Sequence, residues 1–369
     1  MNQTYNNWLE SMNFQVDFYK KSFKKQRVDK EFDWAWYNSQ LSWKEKLYPY
    51  VGPVLNFIRR KPKPQMLPFT KQWLNAKSEQ LWASRQLLDD ELSKLLFDSH
   101  LLLNIVDFSR YYFPRIDYDD LITIKNEEEF VGDLPREYLG LPLKTYSIKL
   151  SGRSQVSDIK VVTTKLQIDL LNNYRQYFAR RGTLDFSPKQ GEVVFDCGSC
   201  IGDISIIFAA FTGSTGQVHL FDPVPLHGRY GKFQGSLNPN LSQTLHVTNL
   251  AVGETTSRSS GTTKDASSIS PSGRMVDDFE TTSLDDYVSK NGLQRADYIK
   301  MDIEGYEQAA LRGASRIMRE FKPKLAISTY HRDSDLWEIP ALILKLNPEY
   351  KIYFGHHSPK YWESVYYAV

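Results

Sequence analysis

The chain has 369 residues, of which 41% are hydrophobic and 24% charged, and its formal net charge is +2. This is the composition of a water-soluble globular protein, and the length favours two domains. The small net charge argues against a nucleic-acid partner, and no run reaches the ~18 apolar residues of a membrane span.

Met1 to Glu10 is polar and lacks the apolar stretch of a signal peptide. Six of the eight tryptophans (Trp8, Trp34, Trp36, Trp43, Trp73 and Trp82) precede residue 83, which sets the first part of the chain apart. Residues 1 to about 60 read as short helices with aromatic stripes, and Lys61-Pro62-Lys63-Pro64 breaks them, because proline cannot continue a helix. The basic cluster Arg59 to Lys63 reads as a solvated surface. A strong helical period follows through Leu81, Leu88, Leu92, Leu95, Ser99, Leu102 and Val106, with Ser78 as the expected N-cap and Pro114 as a stop. Asp117 to Leu150 reads as loop with short β-type runs at Leu121–Ile124 and Thr145–Leu150. The tryptophan and tyrosine clusters have two readings: a platform for sugar rings, or packing residues of a helical cap or subunit interface, which is the commoner case.

In the second half, Gln167 to Arg180 has helical spacing. Val193, Val194 and Phe195 make a short buried strand that runs into Asp196-Cys197-Gly198-Ser199-Cys200-Ile201-Gly202-Asp203, then into the apolar helix begun by Ile204, Ile206, Ile207 and Phe208. Strand, glycine turn, helix is the shape of a nucleotide-binding crossover. Gly198 lets backbone approach a ligand with no Cβ in the way, and Gly202 lets the helix pack close to the strand. Gln217 to Phe221 is a second strand, and Asp222 at its end is either the acid that accepts ribose hydroxyls or a turn aspartate. Leu245 to Val252 suits a third strand, Thr255 to Gly273 a mobile Ser/Thr/Gly-rich loop, and Ser283 a helix cap. Asp297 to Gly305 reads as a fourth strand with acids at its C-terminal end, Gln308 to Phe321 as a helix, and Lys324 to Thr329 as a fifth strand followed by Tyr330-His331-Arg332. Lys351 to Phe354 and Ser364 to Ala368 form a terminal hairpin around Gly355 to Lys360, where His356 and His357 are expected on the surface or substrate rim. Strands alternating with helices, then an antiparallel pair, indicate a doubly wound α/β sheet.

Five motifs stand in one order: Asp196-Cys-Gly-Ser-Cys-Ile-Gly-Asp203, Phe221-Asp222-Pro223, Ser283-Leu-Asp-Asp-Tyr287, Ile299-Lys-Met-Asp-Ile-Glu-Gly305 and Tyr330-His331. With Leu336-Trp337-Glu338-Ile339-Pro340 added, residues 165 to 369 resemble the FkbM family of S-adenosylmethionine-dependent methyltransferases. The resemblance implies a class I methyltransferase fold, a Rossmann-like sheet with an antiparallel C-terminal hairpin, over residues 161–369. Residues 1–160 form a mainly helical, aromatic-rich N-terminal region that serves as a substrate cap or an oligomerisation element. It implies S-adenosylmethionine as donor and a hydroxyl of a sugar, glycolipid, polysaccharide or secondary metabolite as acceptor. The cofactor-binding set is Asp196, Gly198, Ser199, Gly202, Asp203, Asp222, Asn249 and Asp302. Two departures stand out: Cys197 and Cys200 occupy positions where small or aliphatic residues are common, and Asp222 stands where glutamate is usual. Cys197 and Cys200 also spell a redox-type C-x-x-C, but no thioredoxin-like context surrounds it, two cysteines cannot complete a zinc site, and no disulfide framework exists. A reducing cytoplasm is the expected location.

Methyl transfer from a sulfonium is an in-line displacement, so the enzyme must hold the attacking oxygen ~3 Å from the methyl and keep water away. His331, at the end of the fifth strand, is the first choice as general base, with a structural histidine as the alternative. Asp302 and Glu304 complete the catalytic set; they could share a divalent metal with His331, but a metal-free site is preferred, in which Asp302 accepts from the substrate or the donor's amine and Glu304 starts the next helix, where an acid in the first turn is stabilised without any function. Lys300 reads as an ion-pair partner. Tyr330, Arg332, Asp333 and Trp337 are candidates for gripping the acceptor, Trp337 by stacking on a sugar. The competing functions are a nicotinamide-dinucleotide oxidoreductase, which lacks its Gly-x-Gly-x-x-Gly here, and a non-catalytic glycan-binding module.

Overall fold

A computed structural model describes residues 3–22, 69–106, 119–138, 140–152, 154–260, 278–358 and 362–369. Trp34, Trp36, Trp43, the basic cluster and proline break at 59–64, Pro114 and positions 261–273 of the Ser/Thr-rich stretch lie outside them.

Three helices lead the described chain: α1 (Gln3–Ser22), α2 (Lys71–Gln86) and α3 (Glu91–Val106). The apolar period is interrupted at 87–90, so the two halves of the expected stripe fall on separate helices and Leu95 is exposed. Thr70, not Ser78, is the N-cap of α2: its hydroxyl accepts from Trp73 N at 2.9 Å. Ser78 lies inside the helix, where its hydroxyl bonds Asn75 O and the Tyr5 hydroxyl of α1. Trp8 Nε1 and Arg85 Nε both donate to Asp98, which ties the three helices together.

The segment expected to be mostly loop forms an antiparallel sheet in the order β1 (Ile122–Glu129), β2 (Lys144–Leu150), β3 (Asp158–Thr163). Position 160 therefore lies inside a strand. Helix α4 (Lys165–Tyr174) stops short of Arg180 because Arg175 and Tyr177 take positive φ.

The main sheet uses β4 (Val193–Cys197), β5 (Gln217–Phe221), β6 (Leu245–Thr248), β10 (Tyr298–Met301), β11 (Lys324–Ser328), β12 (Ile352–His356) and β13 (Ser364–Ala368), with a small sheet of β7 (Ala251–Val252), β8 (Ser257–Ser260) and β9 (Asp278–Thr282) beside it. Its order is β6-β5-β4-β10-β11-β13-β12, parallel except for β13. This is the expected doubly wound sheet with its terminal hairpin. Helices α5 (Asp203–Thr212), α6 (Pro225–Leu237), α7 (Leu284–Lys290), α8 (Glu307–Arg312), α9 (Ser315–Glu320) and α10 (Asp335–Leu346) make the crossovers. Ser283 caps α7 as expected.

Two further expectations are corrected. The third strand ends at Thr248, because Asn249 turns back to the carbonyls of Asp222 and Val224, and Ala251–Val252 pairs with β9 instead. The helix expected from Gln308 to Phe321 is two helices broken at Gly313, where a Cβ would lie 2.1 Å from Gly253 O.

The two faces of the sheet carry separate cores. Helices α1–α3 join the one that holds Ile299, Leu325, Ile327 and Ile339, so the N-terminal helices are built onto the sheet. Helix α3 lies along β12: Ser93 Oγ accepts from Phe354 N, and Phe97 meets Phe354 edge-on. That cover shields an edge strand. His356 and His357 are buried, not on a rim: His356 faces His100, while His357 bonds Tyr174 O and the Tyr367 hydroxyl, which places imidazoles where the packed hairpin needs internal partners.

Central strands buried on both faces should be wholly apolar. Here β4 and β10 each carry one charge, Asp196 and Lys300, at directly paired positions of the ladder, 3.0 Å apart. Lys300 Nζ also donates to Gly198 O at 2.7 Å, and Ser205 Oγ donates to Asp196 at 2.5 Å. Asp196→Ala leaves the ammonium without its counter-charge in a site only 3% exposed. The expected cost is about 3–5 kcal/mol, read as a lower urea midpoint with an unchanged slope; a loss below about 1 kcal/mol would contradict this account.

Candidate active site

The turn after β4 is built by backbone sterics. Gly198 has φ +78, and a Cβ there would sit 1.9 Å from Asp302 O. Its close approach is thus to the chain leaving β10. Gly202, also at positive φ, lets α5 approach α6, where a Cβ would meet Gly231 Cα at 3.0 Å. Asp302 N donates to Cys197 O, and Gly198 N and Ser199 N both donate to Phe221 O, so the ends of β4, β5 and β10 are laced together.

A cleft of about 410 Å³ opens at these C-terminal ends, where ligands of open α/β sheets bind. Gly198, Cys200, Asp222, His227, Asp302 and Glu304 contribute to its wall, the small sheet closes one side through Val252, Phe279 and Thr281, and Tyr138 reaches in from the segment between β1 and β2. Asp222 is fixed by Cys200 N on Oδ2 (3.1 Å) and Val224 N on Oδ1 (2.9 Å), with His227 Nδ1 2.8 Å from Oδ1. The other expected cofactor residues stand behind the wall. Asp196 is committed to Lys300, and Asp203 accepts from Thr163 Oγ1 and Ile204 N. Ser199 and Gly202 shape the turn, and Asn249 holds the Asp222–Val224 loop. Cys200 Sγ contacts the Tyr138 hydroxyl and Cys197 lies in the core; burial pushes both thiols above their ordinary pKa, the opposite of a reactive pair.

Asp302 is the hub of a second cluster. It accepts from the Tyr330 hydroxyl at 2.8 Å and the Tyr177 hydroxyl at 3.1 Å, and His331 Nε2 lies 3.4 Å away. His331 Nδ1 is 2.9 Å from Glu307 Oε1 in the first turn of α8. Burial alone would raise the Asp302 carboxyl, but the charges of His331 and Lys300 and the two hydroxyls outweigh it and hold it below its ordinary value. Burial alone would lower His331, yet Glu307, Asp302 and Glu304 raise it to about 10. That shift favours the charged imidazole at neutral pH, which weighs against its reading as a ready general base. Glu304, 3.9 Å from His331, is mostly exposed on the cleft wall. The ligand atoms that gather within 4.8 Å belong to Asp302, Glu307 and His331, with Glu307 in the place expected of Glu304.

Of the residues expected to grip the acceptor, Arg332 is exposed and packs over Gly305, and Trp337 is half-buried. Trp73 of α2 joins them: its Nε1 donates to Asp333 at 2.9 Å, its ring lies 6.3 Å from Trp337, and Phe69 stacks on it at 3.8 Å. Sequence reading missed His227, Glu307, Tyr177, Tyr138 and Trp73 as site residues. Only Glu307 left a local signal, as an acid in a first helical turn beside Asp302-Ile-Glu304.

His331 is expected to remain protonated to well above pH 8, read from its ring resonances by NMR, against a midpoint near 6.5 if Glu307 does not engage it. Because its folded pKa is raised, its stabilising contribution is complete below about pH 6.5 and is lost as pH rises through about 10.

Residues 196–351 match the family model described as Methyltransferase FkbM domain. Among solved structures, the chain is similar to methyltransferase FkbM from Methylobacillus flagellatus KT at 23% identity and a TM-score of 0.52, covering 80% of this chain and 60% of that one. The chain thus spans about 60% of the length of that relative. Similarity to Aeropyrum pernix fibrillarin, crystallised with natively bound S-adenosyl-L-methionine, is lower: 13% identity, a TM-score of 0.35, and 67% of this chain against 99% of that one. No curated protein matches the chain. The family match starts at Asp196 in β4 and ends at Lys351, just before β12. Residues 196–351 are therefore similar to an FkbM methyltransferase domain, and the sheet that carries them has the class I methyltransferase fold.

Proposed function

We propose that the chain is an S-adenosylmethionine-dependent O-methyltransferase that modifies a hydroxyl of a sugar, glycolipid, polysaccharide or secondary metabolite. The observation that carries this is the joining of one cleft by three strand ends: the glycine turn of β4, Asp222 after β5 and Asp302 after β10. The Gly198 turn lines the side that takes the cofactor's amino-acid end, Asp222 receives its ribose, and Asp302 faces the reacting end. The donor, when bound, supplies an electrophilic methyl on a positive sulfur. The chain's own residues do the rest: they position the acceptor oxygen and exclude water.

Asp302 is the ionised carboxylate at the cleft wall and takes the acceptor hydroxyl as a hydrogen-bond donor; Glu304 flanks it. His331, held charged between Glu307 and Asp302, supports Asp302 and keeps it ionised instead of acting as the base itself. A metal-free site is the preferred reading: a divalent ion would need free carboxylate oxygens, and Asp302 already receives two tyrosine hydroxyls. Tyr330 orients Asp302. Arg332, Asp333 and Trp337, with Trp73 beside them, hold the acceptor, in keeping with an aromatic wall that stacks on a sugar ring.

Incubation with S-adenosylmethionine and a panel of sugars, nucleotide sugars and glycolipids should add one methyl to a member of the panel by mass spectrometry, with the rate unchanged in excess EDTA. Methylation only at nitrogen or carbon acceptors would contradict the O-transfer assignment. A rate abolished by EDTA and restored by a divalent ion would contradict the metal-free site.

A further inference from the structure

We infer that His227 is a second receptor for the cofactor's ribose, sharing with Asp222 a diol that the longer glutamate would hold alone. The inference rests on the reading of the cleft as the S-adenosylmethionine site. Its starting point is the number of acceptor positions at Asp222. A carboxylate offers four lone-pair sites, two on each oxygen. Val224 N occupies one on Oδ1 and His227 Nδ1 faces the other, while Cys200 N occupies one on Oδ2. One site is left, on Oδ2. A ribose brings two hydroxyl donors, so one of them needs a different acceptor.

His227 meets that need. It sits in the first turn of α6, which Pro225 opens and whose backbone brings residue 227 back over the end of β5. Only 5% of it is exposed, and it lines the cleft. The Asp222 carboxylate lies 2.8 Å from Nδ1, and neither ring nitrogen has a hydrogen-bond partner among the described residues. With the carboxylate beside Nδ1, Nε2 is the nitrogen left to a ligand, and as the neutral imidazole's second nitrogen it accepts. A buried ring nitrogen without a partner is costly unless a ligand supplies one, and the ligand's second hydroxyl is the donor that fits. Tyr138, edge-on to the imidazole at 6.2 Å, and the Cys200 turn close the remaining approach. Gly228, the next residue, has no Cβ because Asn249 Nδ2 would lie 2.5 Å from it; the Asn249 clamp on the Asp222–Val224 loop thus holds carboxylate and imidazole in one frame.

The test is isothermal titration of the full chain with S-adenosylhomocysteine and with its 2′-deoxy and 3′-deoxy analogues, for wild type, His227→Ala and His227→Gln. His227→Ala is expected to weaken S-adenosylhomocysteine about tenfold, and His227→Gln, whose amide oxygen can accept in place of Nε2, to restore most of that loss. For one of the two deoxy analogues, His227→Ala should cost nothing further, since the hydroxyl it receives is gone. His227→Phe, which keeps the ring volume, replaces alanine in the cycle if alanine unfolds the chain. Equal affinity of wild type and variant for S-adenosylhomocysteine, or an equal loss with all three ligands, would overturn the role of His227 while leaving the cofactor site intact. A wild type that binds none of them would overturn the cofactor site itself, and His227's role with it.

Discussion

The site depends on a buried ion pair between the two central strands. Asp196 and Lys300 neutralise each other across the β4–β10 ladder, and the remaining hydrogen-bonding capacity is spent on Ser205 and on the carbonyls of Cys197 and Gly198. Burial alone would lower the pKa of Lys300, but Asp196 and Asp302 hold it above its ordinary value. Removing two charges from water is expensive, and such a pair is tolerated when every lone pair and proton is satisfied. What it supplies here is position. The ammonium grips the glycine turn from below while Asp302, two residues beyond Lys300, presents its carboxylate above. Gly198 then has no alternative to lying against the Asp302 carbonyl.

From that anchor the cleft divides into two ends with different electrostatics. At one end, Asp222 is held by backbone N–H groups, with the His227 imidazole 2.8 Å away. At the other, Glu307, His331 and Asp302 form a line of alternating charge. The arrangement accounts for an imidazole raised to about 10 despite burial. It also accounts for a carboxylate that stays ionised beside two tyrosines.

Much of this was legible in the chain. Parallel strands buried on both faces read as short apolar runs, and the residues that end them, Asp196 through Asp203, Asp222, Asp302 and His331, mark the ligand edge without any alignment. The terminal hairpin was legible for the same reason. The sheet β1–β3 was not: its strands are interrupted by polar residues such as Lys125, Asn126 and Glu127 on an exposed face, and they resemble loop. Asp196 was assigned to the cofactor because spacing cannot reveal that Lys300 lies opposite it in the ladder. His331 reads as a base from its place after β11, because only the fold brings Glu307 of α8 within reach of its ring. Trp73 and Tyr138 come from segments far away in sequence, and no local pattern connects them to the strands they serve.

The central claim is that the glycine turn, Asp222 and Asp302 form one receptor for a sulfonium nucleoside. A crystal of the full chain soaked with S-adenosylhomocysteine tests it most directly. The account predicts density in the cleft, with the ribose against Asp222 and the sulfur toward Asp302. An empty cleft at saturating ligand, or a nicotinamide dinucleotide retained there from purification, would contradict it.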